Sequence, residues 1–313
     1  MRPLCLGLAL LVLSGQAWPQ ASPPPAAYTL GVFPYLPPVQ LERLFAPLAA
    51  ALGEAVGRQV RFRTAASFEA FGAALQEQRY DLAFVQPFDY VRIAAAAGYL
   101  PLARRRQPLV PLVVVLPASP LRNLLELRGH PVALPPPQAA VSLVFRHALW
   151  RVGLVPGRDV TLVYYRSHSS CLHQLLLGGA SACVTASPPL RLFEAKRRLQ
   201  LRVLAALPAL PSPLFVAHRR LPAAERERLR AAILSWHRTP EGRALLQQAG
   251  FEAFVAATDA DYEVVRRLWE ELGTYEAPHT PALPHCRDDC FAGGRGNGPG
   301  VVADAGAARA CCH

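Results

Sequence analysis

The sequence predicts an α/β protein of two lobes, the second inserted in the first, closing on each other as a hinged clamshell. Three observations predict it. Apolar strands alternate with amphipathic helices from Tyr28 onward. A second, smaller αβ set then interrupts the first. Roughly 250 residues lie between a leader and a tail, enough for two cores.

The first lobe reads as βαβαβα. Thr29 to Tyr35 (TLGVFPY) is a short strand, and Leu41, Leu44, Phe45, Leu48, Leu52 and Val56 then recur at helical spacing up to Gly57. Gln59 to Ala65 alternates as a half-buried strand, and Ser67 caps a helix carrying Phe68, Phe71 and Leu75. Asp81 to Val85 is a buried strand followed by a helix over Phe88 to Ala97. Right-handed crossovers make this one parallel sheet covered on both faces.

Leu109 to Leu116 (LVPLVVVL) reads as the strand that leaves the first lobe. The second set follows: helical Leu121 to Leu127, strand Pro131 to Leu134, helix Ala139 to Val152, strand Asp159 to Arg166, helix Ser169 to Leu177, strand Ala182 to Ala186 and helix Pro188 to Arg198. Leu201 to Val216, broken by Pro208, Pro211 and Pro213, reads as the return path, and two last helices complete the first lobe. The boundaries are therefore 28–116 plus 212–275 for lobe 1 and 117–211 for lobe 2. A single continuous sheet of about ten strands, near the practical limit for an open sheet, is the competing reading.

Residues 1–21 have the layout of a signal peptide: Met1-Arg2, an apolar run from Leu4 to Leu13, then Ser14, Gly15 and Ala17. That run is shorter than the ~20 residues a membrane-spanning helix needs. An exported chain is expected, with Ser22 to Ala27 a stiff linker. Net charge is +11, with Lys196 the only lysine. The positive excess favours an anionic partner. The arginines are scattered without interleaved aromatics, which excludes nucleic acid. Cys171 and Cys183 are either buried thiols or a disulfide. Residues 276–313, with Cys286, Cys290, Cys311 and Cys312, read as a disordered tail.

Strand-to-helix junctions are where an open α/β sheet holds a ligand. Candidate ligand residues follow from that rule: Tyr35 at the end of the first strand, Ser67 at the second junction, Gln86, Phe88 and Tyr90 at the third, and Ser167, His168 and Ser169 at the Arg166–Ser170 junction. No G-x-S-x-G, phosphate loop, G-x-G-x-x-G or H-E-x-x-H occurs, so no enzyme, cofactor or resident metal is expected. A Cys171/His168 nucleophilic pair has no identifiable orienting acid.

At GVFPY, FRTAASFEAFGAALQEQRYDLAFVQPFDYV and SHSSCLHQLLLGGASACVTA the chain resembles the phosphate/phosphite/phosphonate-type substrate-binding proteins of ABC importers, a branch of the type II periplasmic binding fold. The resemblance runs from about Tyr28 to Leu272. It implies a periplasmic, monomeric solute-binding protein partnered by a permease, with Tyr35, Gln86, Phe88, Tyr90, Ser167 and His168 around the ligand. A protein that presents its ligand to a sensor kinase, or one that handles metal through its tail, are the alternatives. The chain departs from the resemblance at Leu134-Pro135-Pro136-Pro137-Gln138-Ala139-Ala140, where a hydroxyl-rich junction is expected and only Gln138 offers a polar side chain. Proline has no N–H, so this junction loses backbone donors too. An anion other than phosphate or phosphonate, or a more apolar solute, fits it better.

Overall fold

The structure is a computed structural model that describes residues 27–276. The expected leader and the cysteine-bearing tail, with Cys5, Cys286, Cys290, Cys311 and Cys312, lie outside the described residues.

Local sequence explains the first elements. Strand β1 (Tyr28–Val32) leads to helix α1 (Pro38–Val56), which starts on proline, buries Leu41, Phe45, Leu48 and Leu52, and stops where Gly57 takes a left-handed φ of 68°. Strand β2 (Val60–Thr64) precedes helix α2 (Phe68–Gln76), whose Ser67 cap accepts the Ala70 N–H. Strand β3 (Leu82–Val85) is buried throughout and feeds a single turn, α3 (Pro87–Asp89), that loosens into a π-turn over Tyr90–Ala94. Strand β4 (Tyr99–Arg105) completes this run.

Next come β5 (Pro111–Val115), β6 (Pro131–Leu134), α4 (Ala140–Arg151), β7 (Thr161–Tyr164), α5 (His168–Leu176), β8 (Ala182–Ala186), α6 (Ser187–Arg197) and β9 (Arg202–Ala206). The chain then returns through β10 (Leu214–His218), α7 (Ala223–Ser235), α8 (Pro240–Gln248), β11 (Phe254–Ala256) and α9 (Glu263–Glu276).

Two sheets result, so the single continuous sheet does not form. The first has six strands in the order β11-β4-β10-β3-β1-β2, and the second has five in the order β7-β6-β8-β5-β9. β1 runs parallel to β2 and β3, and β6 parallel to β7 and β8. The strands that enter and leave each set, β10 and β5, pair antiparallel. This is the two-lobed clamshell.

Three expected elements differ. The apolar run at Leu109–Leu116 is not the first lobe's exit strand: it forms β5 in the second sheet, between β8 and β9. Val113, Val114 and Val115 are fully buried, and a run buried on both faces carries no mark of which sheet buries it. The strand before it in the first sheet is β4, whose end at Arg104 and Arg105 reads as surface. The return path is two strands, β9 and β10. The helix over Leu121–Leu127 shrinks to one 3₁₀ turn, Leu125–Leu127, because the Asn123 side chain accepts the N–H groups of Leu125 and Glu126.

The two crossings between sheets are bonded to each other. Leu109 and Leu210 exchange both backbone hydrogen bonds at 2.9 Å, Arg105 N–H donates to Pro213 O, and Leu207 N–H donates to Pro111 O. Tyr262 Oη and Ser212 Oγ brace this ladder through Ser212 O and Arg105 O. A second tie is α9. It packs on the first lobe through Trp269 against Phe88 and Arg92, and on the second lobe through Glu271 to His147 and Tyr275 stacked on Trp150.

Candidate functional site

The carboxyl ends of β1 and β3 and the start of α2 face the starts of α4, α5 and α6 across a cavity of about 290 Å³, at the small end for a ligand site. The hinge closes it with Leu109 and Pro213, and the turn after α8 adds Gln247 to Phe251. One wall is aromatic. Phe33, Tyr35, Phe68, Phe84 and Phe251 line it, with Phe33 centred 4.8 Å from Tyr35 and 5.8 Å from Phe84. Burial pushes the Tyr35 phenol far up, so it stays neutral.

The charge in the cavity has one sign. Arg43, Arg105 and Arg191 line it, and among the described residues no aspartate or glutamate does. Arg105 comes from the end of β4 in the first sheet, Arg191 from α6 on the second. Arg105 lies 5.3 Å from the Phe251 centroid, and its Nε is buried without a hydrogen-bond partner. Burial lowers the pKa of Arg105; Tyr35 and Glu252 oppose this shift, and Arg191 adds to it. An arginine keeps its proton under such pressure, so the charge remains and lacks a full counter-charge.

His168 faces the same space. Thr185 Oγ1 holds its Nδ1 at 3.0 Å, while Nε2 has no hydrogen-bond partner among the described residues. Burial pushes its pKa down to about 4, so the imidazole is neutral at pH 7. When Thr185 donates to Nδ1, Nε2 carries the proton and donates into the cavity. A disulfide between Cys171 and Cys183, with Cα atoms 5.9 Å apart, ties the first turn of α5 to β8 and so fixes His168 over Thr185. That closes the question of a Cys171 nucleophile.

Gln86 also borders the cavity, but its amide is spent. Nε2 donates to Asp89 Oδ1 at 3.0 Å and across the cleft to Gln138 O at 2.8 Å, and Oε1 accepts the Ala140 N–H at 2.7 Å. The first free N–H of α4 is thereby taken by the protein itself. Gln86 is a latch between the lobes.

Of the residues expected from sequence, the fold brings Tyr35, Gln86 and His168 to the cavity. The other six are placed elsewhere. Ser67 and Ser167 serve as helix caps, and Ser169 lies on α5 away from the lining. Phe88 is fully buried against Trp269. Tyr90 donates to Asp259 Oδ1 at 2.7 Å. Gln138 reaches over the cleft to Glu69 at 2.6 Å. The arginines were missed because they stand among many surface arginines. The usable signal for Arg105 was its place at the carboxyl end of a strand, and for Arg191 its place one turn into a helix that opens on the cleft.

A model of the ABC-transporter phosphonate periplasmic substrate-binding proteins matches residues 30–262. The chain belongs to this family. As a member it is the periplasmic substrate-binding component of an ABC transporter. Solved structures carry the same fold. The binding protein aligns with PhnD1 of Prochlorococcus marinus in complex with methylphosphonate at a TM-score of 0.70 and 15% identity, over 79% of this chain and 98% of that one. It aligns with a binding protein component of an ABC phosphonate transporter of Pseudomonas aeruginosa at 0.72 and 14%, over 83% and 90%. The aliphatic sulphonate binding protein SsuA of Escherichia coli follows at 0.59 and 16%, over 83% and 94%.

Proposed function

We propose that this binding protein captures a small anionic solute between its two lobes, as an exported monomer, and hands it unchanged to a permease. The observation that carries this reading is the cavity lined by three arginines and no carboxylate. An anion entering it gains partners for guanidinium groups that otherwise repel each other. Tyr35 and His168 supply neutral polar contacts, and Gln86 holds the lobes together behind them. Export by the leader agrees with a buried disulfide, which persists in an oxidising compartment. No turnover is expected, since among the described residues the cavity-facing imidazole of His168 has no nucleophile beside it: its neighbour Thr185 is fully buried, and Cys171 is oxidised.

The test is a thermal-shift screen against inorganic and organic anions with neutral controls. A ligand at ~100 times its Kd should stabilise the protein by ~2.7 kcal/mol. His168→Ala should weaken the best hit by about 1 kcal/mol or more, the worth of one hydrogen bond in a dry site. A screen in which only neutral or cationic solutes stabilise the protein would reject the anionic reading.

A further inference from the structure

The proposed anion site can be narrowed to a ligand class, an inference that rests on the reading above. A small, multiply charged oxyanion is usually held by many backbone donors at short range, and in this cavity the donors are mostly guanidinium groups. Helix starts are the usual source of free N–H groups. Here the start of α4 spends the Ala140 N–H on Gln86 Oε1, and the junction before it is Pro135-Pro136-Pro137. The start of α6 puts Pro188 and Pro189 on the cavity wall, and proline has no N–H to give. The hydroxyl of Ser142 is turned away onto Pro135 O at 3.1 Å, and that of Ser167 caps its own helix. What remains is guanidinium charge, the backbone N–H groups of Val141 and His168, the His168 imidazole and a wall of aromatic rings.

We infer that the ligand is an organic monoanion with an apolar, ring-sized body, its head held between Arg105 and Arg191 and its body packed on Phe33, Tyr35, Phe68 and Phe251. Arg105 is the deeper contact, backed by the Phe251 ring and with an unpartnered Nε. Arg191 comes from the opposite lobe, so a head between the two is gripped only when the lobes are together. One negative charge against this pair needs far less solvation than a dianion. The apolar body repays its transfer from water on rings that a bare phosphate would leave wetted.

The test is calorimetric titration of the full-length protein with six probes. Benzoate and benzenesulfonate carry ring and charge, benzamide the ring alone, acetate the small charged head alone, and inorganic phosphate and methylphosphonate the multiply charged head. The ring-bearing monoanions should bind at least ~10-fold more tightly than each of the other four, the factor that one charged hydrogen bond or one buried ring supplies. Arg105→Met, which keeps the apolar stem over Phe251, should abolish that advantage over benzamide. Because Arg105 is partly buried, Arg191→Gln on the exposed helix face is the companion variant. It should leave the melting temperature of the free protein unchanged and still cost benzenesulfonate ~10-fold. Tighter binding of phosphate or methylphosphonate, equal binding of benzamide, or no binding of either ring-bearing monoanion overturns the inference. In each of those cases a stabilising hit elsewhere in the anion screen leaves the broader reading standing; a screen without any anionic hit removes both.

Discussion

Asp89 is a carboxylate in the wrong solvent. Gln86 bonds one oxygen, the other has no partner, and burial pushes the pKa up to about 7 against the opposing pulls of Gln86 and Arg92. The folded protein therefore holds a proton here that the unfolded chain releases near pH 4. Stability falls as pH rises through the window from about 4 to about 7, by up to ~1.4 kcal/mol per pH unit. His168 works in the opposite sense. Its folded pKa of about 4 lies below the ordinary 6.5, so its contribution grows as pH rises from 4 to 6.5 and is complete above that. The two slopes offset in the wild-type protein. Asp89→Asn removes one of them, so the variant should gain stability over the wild type steadily from pH 4 to 7 and hold that lead above pH 7. Urea denaturation at pH 5 and 7.5 measures it, and a lead independent of pH would refute the buried, protonated Asp89.

At the level of elements, the disulfide does two jobs. It closes a short loop, with a sequence separation of 12, and pins α5 to β8. Loss of such a cross-link costs ~2–4 kcal/mol in the chain-entropy account. Cys171→Ala with Cys183→Ala should lower stability by that amount and also weaken ligand binding, because the first turn of α5 carries His168. A double variant with full stability in oxidising buffer would show that the pair does not form. The same scale shows what was legible in the sequence. The alternation of β1, α1, β2, α2 and β3 was readable because caps and periodicity agree there: Gly57 stops one helix and Ser67 starts the next at positions their chemistry demands. Assigning β5 to a sheet was not readable, since Val113 to Val115 are buried by partners distant in sequence. At the site, His168 stood out at a short Ser-rich junction. Phe88 and Tyr90 did not declare that they face inward; only the docking of Trp269 on α9, and of Tyr262 in the turn just before it, decides that.

Over the whole molecule, Gln86 supplies two hydrogen bonds from one lobe to the other. Gln86→Ala would strand the Ala140 N–H, the Gln138 carbonyl and the Asp89 carboxylate in a closed cleft, a cost of ~1–3 kcal/mol for a buried group left unpaired. Opening the lobes lets water reach them. The variant should therefore show a larger radius of gyration by small-angle X-ray scattering without ligand, and a weaker ligand affinity. An unchanged radius with an unchanged affinity would mean that the other ties, α9 through Glu271 and Tyr275 and the Gln138–Glu69 bond, hold the lobes without Gln86.

The hinge has a consequence for signalling. Because the two crossing segments exchange hydrogen bonds at Leu109 and Leu210, neither can flex alone without breaking the pair. They bend as one ribbon, which confines the lobes to nearly a single coordinate of motion. A transporter docked on both lobes then receives a message of one bit, loaded or empty, whatever the chemical identity of the cargo inside.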